Sequence, residues 1–227
     1  MSVIKPPQNA PSSIEELMLR ATALSGLSLG DLATAAGIKT PANFKTQKGW
    51  SGQLIELWLG ASAGSKPEQD FPDLGVELKT LPLSHAHQAL ETTYVCFAPL
   101  TNIAGITWET SNVRNKLSCV LWLPIQGERE IPPSERLIGN PILWRASPQE
   151  EAQLKQDWEE LMDMISLGQV ESIDATVGSV MQLRPKAANG SVLTDAVGHD
   201  GSIIQTRPRG FYLRKNFTNA ILQNSFS

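Results

Sequence analysis

The chain has 227 residues, 41% hydrophobic and 19% charged, with a formal net charge of −4, long enough to bury a proper core in one large domain or two modest lobes. Its longest apolar runs, such as residues 120–125, fall far short of the roughly 20 residues a helix needs to span a bilayer, so no membrane role is expected. The acidic total argues against indiscriminate attachment to nucleic acid.

Residues 1–12 hold three prolines and no apolar core of a secretory signal, so they read as a flexible leader of a cytoplasmic protein. Ser13 and Glu16 form a capping-box pattern before a helical run through Leu24, and Ser28 with Asp31 repeats it, with Gly37 as the stop. Within 49–60, Leu54, Ile55, Trp58 and Leu59 share one helical stripe, and a Gly/Ser/Lys/Pro loop at 60–67 follows. Val76, Leu78, Thr80 and Leu81 predict a strand, 92–100 its antiparallel neighbour, and 119–125 a third strand of a central sheet. Between the last two, 110–117 predicts a short helix capped by Thr110 or Ser111.

Ser147, Pro148 and Glu150 open a long helix whose stripe is Leu154, Trp158, Leu161, Met162 and Ile165, ending at Gly168. Residues 170–186 predict a hairpin turning near Gly178, and 210–217 another strand with positive outer positions. This order predicts a mixed α/β domain over 1–227, with a two-lobe division near 140–147. Cys96 and Cys119 lie in apolar runs without metal-ligand spacing and read as buried thiols; His85 and His87 lack a third ligand and read as a solvated turn.

Charge is uneven along the chain. Residues 184–215 carry six basic and two acidic side chains, whereas 1–183 carry 13 basic and 21 acidic ones. A basic tail on an acidic body offers one face to a polyanion.

The stretch 68–80, EQDFPDLGVELKT, sets Asp70 before Glu77 and Lys79. Side chains alternate along a strand, so Glu77 and Lys79 share one side while Val76 and Leu78 face the core. Asp70, separated by a turn, can return beside Glu77. Two carboxylates held near each other recruit a cation, and hard oxygens with few protein donors suit Mg2+, with the Leu78 carbonyl as one more ligand and Mn2+ or Ca2+ as other occupants. The bland counterpart is a surface strand whose Glu and Lys form a cross-strand pair worth about 0.2–1 kcal/mol.

The runs KGWSGQLIELWLGASAGSKPEQDFPDLGVELKT, TWETSNVRNKL, DWEELMDMI, RPKAAN and PRGFYLRKNFT closely resemble the MutH family of strand-nicking endonucleases in methyl-directed DNA mismatch repair, and the resemblance spans nearly the whole chain. It implies a restriction-endonuclease-like core, a mixed sheet flanked by helices, with two lobes around a DNA-binding cleft. On that resemblance Asp70 and Glu77 are the metal-binding acids, Lys79 is the catalytic lysine, Glu56 supports the site, and Lys116 reaches the DNA or the active site. Lys48, Arg184 and Tyr212 fall on positions for DNA contact, sequence readout and methylation readout. Lys186, Arg207, Arg209 and Arg214 join them through the basic tail as phosphate contacts.

The implied substrate is double-stranded DNA with a hemimethylated GATC, nicked on the unmethylated strand by a monomer that MutL activates directly and MutS indirectly. The alternatives are a restriction-type enzyme cutting both strands at GATC, and a noncatalytic adaptor binding DNA or MutL.

Overall fold

The computed structural model describes residues 5–44, 47, 49–64, 66–186 and 190–225. Helices α1 (Ile14–Ala23), α2 (Leu29–Ala35) and α3 (Trp50–Leu59) precede strands β1 (Glu77–Leu83) and β2 (Thr93–Phe97). Helix α4 (Asn112–Leu117), strands β3 (Val120–Gln126) and β4 (Ile142–Trp144) and helix α5 (Pro148–Ser166) come next. Strands β5 (Met181–Pro185), β6 (Thr194–Val197), β7 (Ile203–Thr206) and β8 (Arg209–Leu213) lead to helix α6 (Lys215–Ser225). Among the described residues no helix is long and apolar enough to cross a membrane.

The chain divides into two compact units, residues 1–90 with 118–145, and 91–117 with 146–227. One of the three crossings, between Arg145 and Ala146, lies inside the stretch 140–147. The other two, after Leu90 and after Leu117, have no Gly or Pro punctuation at the break.

In the first unit the helix starts follow from local chemistry. Ser13 caps α1 by accepting from Glu16 N, but the Glu16 carboxylate turns to Ser12 N and Oγ rather than completing the box at Ser13. Ser28 and Asp31 complete theirs in both directions at α2. Helix α3 is tied to both: Trp58 Nε1 donates to Leu32 O (3.2 Å), and Arg20 Nη1 donates to Leu59 O (2.9 Å), a cation at a helix C-terminus. Leu54, Ile55, Trp58 and Leu59 are all buried in a core shared with Leu17, Leu32, Val76, Leu121 and Leu123.

The sheet of this unit runs β1–β3–β4, with β1 parallel to β3 and β3 antiparallel to β4. Strand β3 is central, and 120–125 are buried without a break, as expected for a strand covered on both faces. Parallel neighbours need a long crossover; here the chain makes it by contributing 91–117 to the second unit. The expected partnership of 92–100 with β1 is therefore wrong. Strand β2 pairs antiparallel with β8, in the other unit, and the neighbour of β1 is β3.

The second unit has an antiparallel sheet β2–β8–β5 and a hairpin β6–β7. Ser111 caps α4, its Oγ accepting from Arg114 N (3.1 Å). Ser147 and Glu150 close the capping box of α5, whose stripe from Leu154 to Ile165 is buried. Trp158 meets Trp108 edge to face at 5.9 Å, which places it in the core. Two further expectations fail. Residues 170–180 form no strand: a 3-10 turn at Val170–Ser172 leads through a loop into β5, which pairs with β8. The last strand stops at Leu213, because Lys215 already opens α6.

The loop before β5 is held by Asp157 of α5. Its buried carboxylate accepts from Ser179 N (2.9 Å), Val180 N (2.6 Å) and Met181 N (2.7 Å), and from Ser179 Oγ (3.1 Å). Gly178 permits this course at φ 79°, where a Cβ would lie 2.1 Å from Met181 O. Asp157→Ala strands three amide donors and is expected to lower stability by roughly 3 kcal/mol in chemical denaturation, with Asp157→Asn losing less. A loss under about 1 kcal/mol in the alanine variant would contradict this anchoring role.

Candidate functional site

Helix α3 ends at Gly60 in the left-handed region, φ 80°. The chain then loops to Asp70, whose carbonyl accepts from Ser62 N (3.1 Å) and Ala63 N (3.4 Å). Phe71 and Val76 exchange backbone hydrogen bonds of 2.9 and 3.2 Å across a tight reversal made of the 3-10 turn Pro72–Leu74 and Gly75 at φ 65°. Buried Gln69 clamps the reversal, its Nε2 donating to Gly75 O (2.8 Å) and Ser118 Oγ (3.1 Å). The result folds Asp70 back on β1, where its Oδ2 accepts from Leu78 N at 2.8 Å.

That bond fixes which side of the strand each group serves. Glu77 N donates to Cys119 O at the start of β3 (2.9 Å), so the backbone of Glu77 faces the sheet. The N–H and C=O of the next residue point the opposite way, so the Leu78 carbonyl shares with its N–H the free edge of β1, the edge that Asp70 approaches. Glu77 is 2% exposed and Lys79 15%, and Lys79 Nζ donates to Glu77 Oε1 at 2.5 Å. The expectation of an outward Glu77 is corrected: its carboxylate is buried, as are Val76 and Leu78. A surface cross-strand pair does not describe it, since both partners belong to one strand and one of them is withdrawn from water.

The two carboxylates and the Leu78 carbonyl are hard oxygens short of a full shell, the donor set Mg2+ takes when water and phosphate oxygens supply the rest. Among the described residues no three His, Cys, Asp or Glu side chains cluster as a protein-only cage. Glu56 is half-buried on α3, the helix whose Leu54, Ile55, Trp58 and Leu59 share the core with Val76 and Leu78. Lys116 is buried at the end of α4, in the second unit. Lys48 lies outside the described residues. His85 pairs with Glu130 at 3.6 Å and His87 sits in a turn at φ 57°; neither joins the carboxylates.

In the second unit, antiparallel register gathers several of the expected DNA contacts. Tyr212 of β8 lies opposite both Gln182 of β5 and Tyr94 of β2, and Arg184 lies opposite Gly210. Residues two apart share a face, so Arg184 and Tyr212 share one, and the guanidinium stands 5.5 Å from the Tyr212 ring centre. Arg184 Nη1 also donates to Thr92 Oγ1 (2.8 Å). Lys186 Nζ stands 4.2 Å from the Tyr94 ring centre, and Tyr94 meets Tyr212 edge to face at 5.3 Å. Arg207 is exposed. Arg209 and Arg214 are partly committed elsewhere: Arg209 Nη2 pairs with Glu171 (3.3 Å), and Arg214 Nη2 donates to Ala175 O (2.6 Å) and Val177 O (2.8 Å).

Sequence reading missed Gln69 and Tyr94. Nothing local marks a glutamine as a clamp, although its place beside a candidate ligand was a signal. Tyr94 sat in a stretch read only as strand; its role in the face comes from lying across β8, where Gly210 makes room for the ring that a Cβ would approach to 2.8 Å.

A family model described as "DNA mismatch repair enzyme MutH" matches residues 59–157, a span that includes Asp70, Glu77, Lys79 and Lys116. The chain is similar over its full length to proteins called "DNA mismatch repair protein MutH". One from Escherichia coli O17:K52:H18 (strain UMN026 / ExPEC) is 57% identical over 226 residues, covering 100% of this chain and 99% of the relative. One from Shigella boydii serotype 18 (strain CDC 3083-94 / BS512) matches with the same identity and coverage, 57%, 100% and 99%.

Burial pushes the Tyr212 hydroxyl above its ordinary value, with the Arg184 charge opposing the rise and Glu91 adding to it. An unfolded chain therefore releases this proton first, so the contribution of Tyr212 to stability is full below pH ~10 and is lost as pH climbs through the folded value. The protein has two tyrosines. Tyrosinate absorbance in wild type is expected to show a late phase that Tyr212→Phe removes.

Proposed function

The chain belongs to the MutH family of DNA mismatch repair enzymes, and from that membership we propose that it is a restriction-endonuclease-like nuclease that nicks the unmethylated strand 5′ of GATC in hemimethylated DNA. The observation that carries the reading is the reversal at 71–76, which sets the Asp70 carboxylate on the Leu78 amide beside buried Glu77 and its partner Lys79. Asp70, Glu77 and the Leu78 carbonyl would hold Mg2+, with Mn2+ or Ca2+ able to take the same ligands, and Glu56 supporting them from α3. When bound, the ion polarises the scissile phosphate and lowers the pKa of a water. Lys79 orients the attacking water and offsets negative charge that grows on the phosphate oxygens in the transition state. The Glu77 carboxylate holds the Lys79 ammonium in place at 2.5 Å.

Substrate choice resides on the second unit. Arg184 offers the bidentate donor that guanine O6 and N7 accept, and Tyr212 forms a wall against adenine N6. An N6-methyl removes one donor hydrogen and needs room, a difference worth ~1–3 kcal/mol. Lys48, Lys186, Arg207, Arg209 and Arg214 contact phosphates and give the affinity its salt dependence, and Lys116 reaches toward the DNA. GATC is a palindrome, so a two-fold dimer would set one active site on each strand, whereas a monomer nicks one. The monomer acts in the cytoplasm, with MutL as its activator and MutS upstream.

Nicking of a hemimethylated GATC duplex is expected to require magnesium and to be absent on the fully methylated duplex. Glu77→Gln should lower the nicking rate by about a hundredfold or more while duplex binding in calcium persists. Equal cutting of both strands, or undiminished nicking by this variant, would refute the reading. Tyr212→Ser is expected to narrow the rate ratio between unmethylated and methylated strands more than it slows cleavage of the unmethylated one. A ratio unchanged from wild type removes Tyr212 from methylation readout.

A further inference from the structure

A concavity of about 440 Å³ lies within the second unit, between the loop before β5 and the start of α6. Its lining includes Thr92, Gln182, Lys215 and Asn216. Gln182 is the informative member. It is 6% exposed, its side chain has no hydrogen-bond partner among the described residues, and it lines the concavity. A mostly buried amide with hydrogen bonds to spare, lining a concavity, offers them to a polar occupant of that space.

The surroundings favour an anion. Helix α6 spans 11 residues, and the first-turn amides of Lys215 and Asn216 find no acceptor among the described residues; such N–H groups carry the positive end of the helix dipole. Lys215 and Arg214 add positive charge. The nearby acids are already engaged: Asp157 takes the amides of 179–181 and the Ser179 hydroxyl, and Asp174 takes the Thr176 amide and hydroxyl. The hydroxyls of Thr176 and Ser179 are thus spent as donors. Gln182 Nε2, Lys215 Nζ, the second hydrogen of Asn216 Nδ2 and two backbone amides are left as donors, beside the two amide oxygens of Gln182 and Asn216, so donors and positive charge outweigh acceptors.

We infer that this concavity binds one phosphate of the DNA backbone flanking the recognition sequence. It adjoins the readout face directly, because Thr92 on its rim accepts from Arg184 and Gln182 lies opposite Tyr212. A phosphate seated on α6 fixes the register of the duplex against Arg184 and Tyr212 without itself reading sequence. The inference rests on the reading that this face meets DNA.

The test couples a DNA change to a protein change. A scan of single methylphosphonates, each deleting one phosphate charge from a hemimethylated duplex, is expected to find one flanking position that weakens wild-type binding by roughly fivefold in calcium at moderate salt. The same substitution should cost a Lys215→Gln variant, and independently a Gln182→Leu variant, less than about twofold. In parallel, inorganic phosphate titrated into the free protein should shift the amide resonances of Lys215 and Asn216, while chloride at equal ionic strength should not. Coupling at one position supports the inference whether or not free phosphate shifts the amides. Amide shifts without coupling at any position overturn the DNA assignment and leave a free-anion site, and neither effect overturns the pocket altogether. Lost coupling alongside intact magnesium-dependent nicking strikes only this pocket, whereas lost nicking in wild type strikes the proposed function itself.

Discussion

The hydrogen bond from Leu78 N to the Asp70 carboxylate is the contact on which the proposed site of the first unit depends. An edge strand leaves every second amide unpaired, and β1 uses one of those amides to seize a side chain from the preceding loop. The bond exists because residues 71–76 reverse the chain within a single turn, which requires Gly75 in the left-handed region and is reinforced by buried Gln69. Remove the reversal and Asp70 remains a loop carboxylate remote from the strand that carries Glu77 and Lys79.

Burial decides what those charges can do. A lysine and a glutamate on an exposed strand attract each other weakly through water. Here Glu77 is withdrawn beneath the surface and Lys79 is nearly so, so each field is screened less and each group is poised for another charge. Keeping an ionised carboxylate in such a place makes sense if cationic partners compensate it. Lys79 is one such partner, and the proposed function supplies the other as a divalent ion shared with Asp70.

The second unit solves a different problem, holding steady the sheet face that the proposed function assigns to reading DNA. The carboxylate of Asp157 grips three successive amides at the entry to β5 and so sets the strand from which Arg184 projects. Gly210 lets the Tyr94 ring settle across β8, where it meets Tyr212 and receives the Lys186 ammonium over its face. Aromatic rings flanked by cations on a packed sheet would lose little freedom on binding, as the proposed DNA-reading role requires. Arg209 and Arg214 show the other use of basic residues, bracing Glu171 and loop carbonyls from within.

Helix starts were legible in the amino-acid order, because a cap is a contract between residues three apart: Ser28 with Asp31 and Ser147 with Glu150 form as read, and the buried stripes of α3 and α5 follow from 3.6-residue spacing. That Asp70 would return to the strand carrying Glu77 and Lys79 was legible too, since a short turn and one strand contain all three. Strand partners were not. Nothing within 92–100 says that it will pair with 209–213 rather than with 77–83, because alternating apolar residues suit any neighbour of matching pattern, and the choice is made by distant segments competing for one edge. Tertiary structure alone decided that Glu77 would be buried, that Tyr94 would join Arg184 and Tyr212, and that Gln182 would be left without a partner, because burial and cross-strand register are properties of the assembled chain.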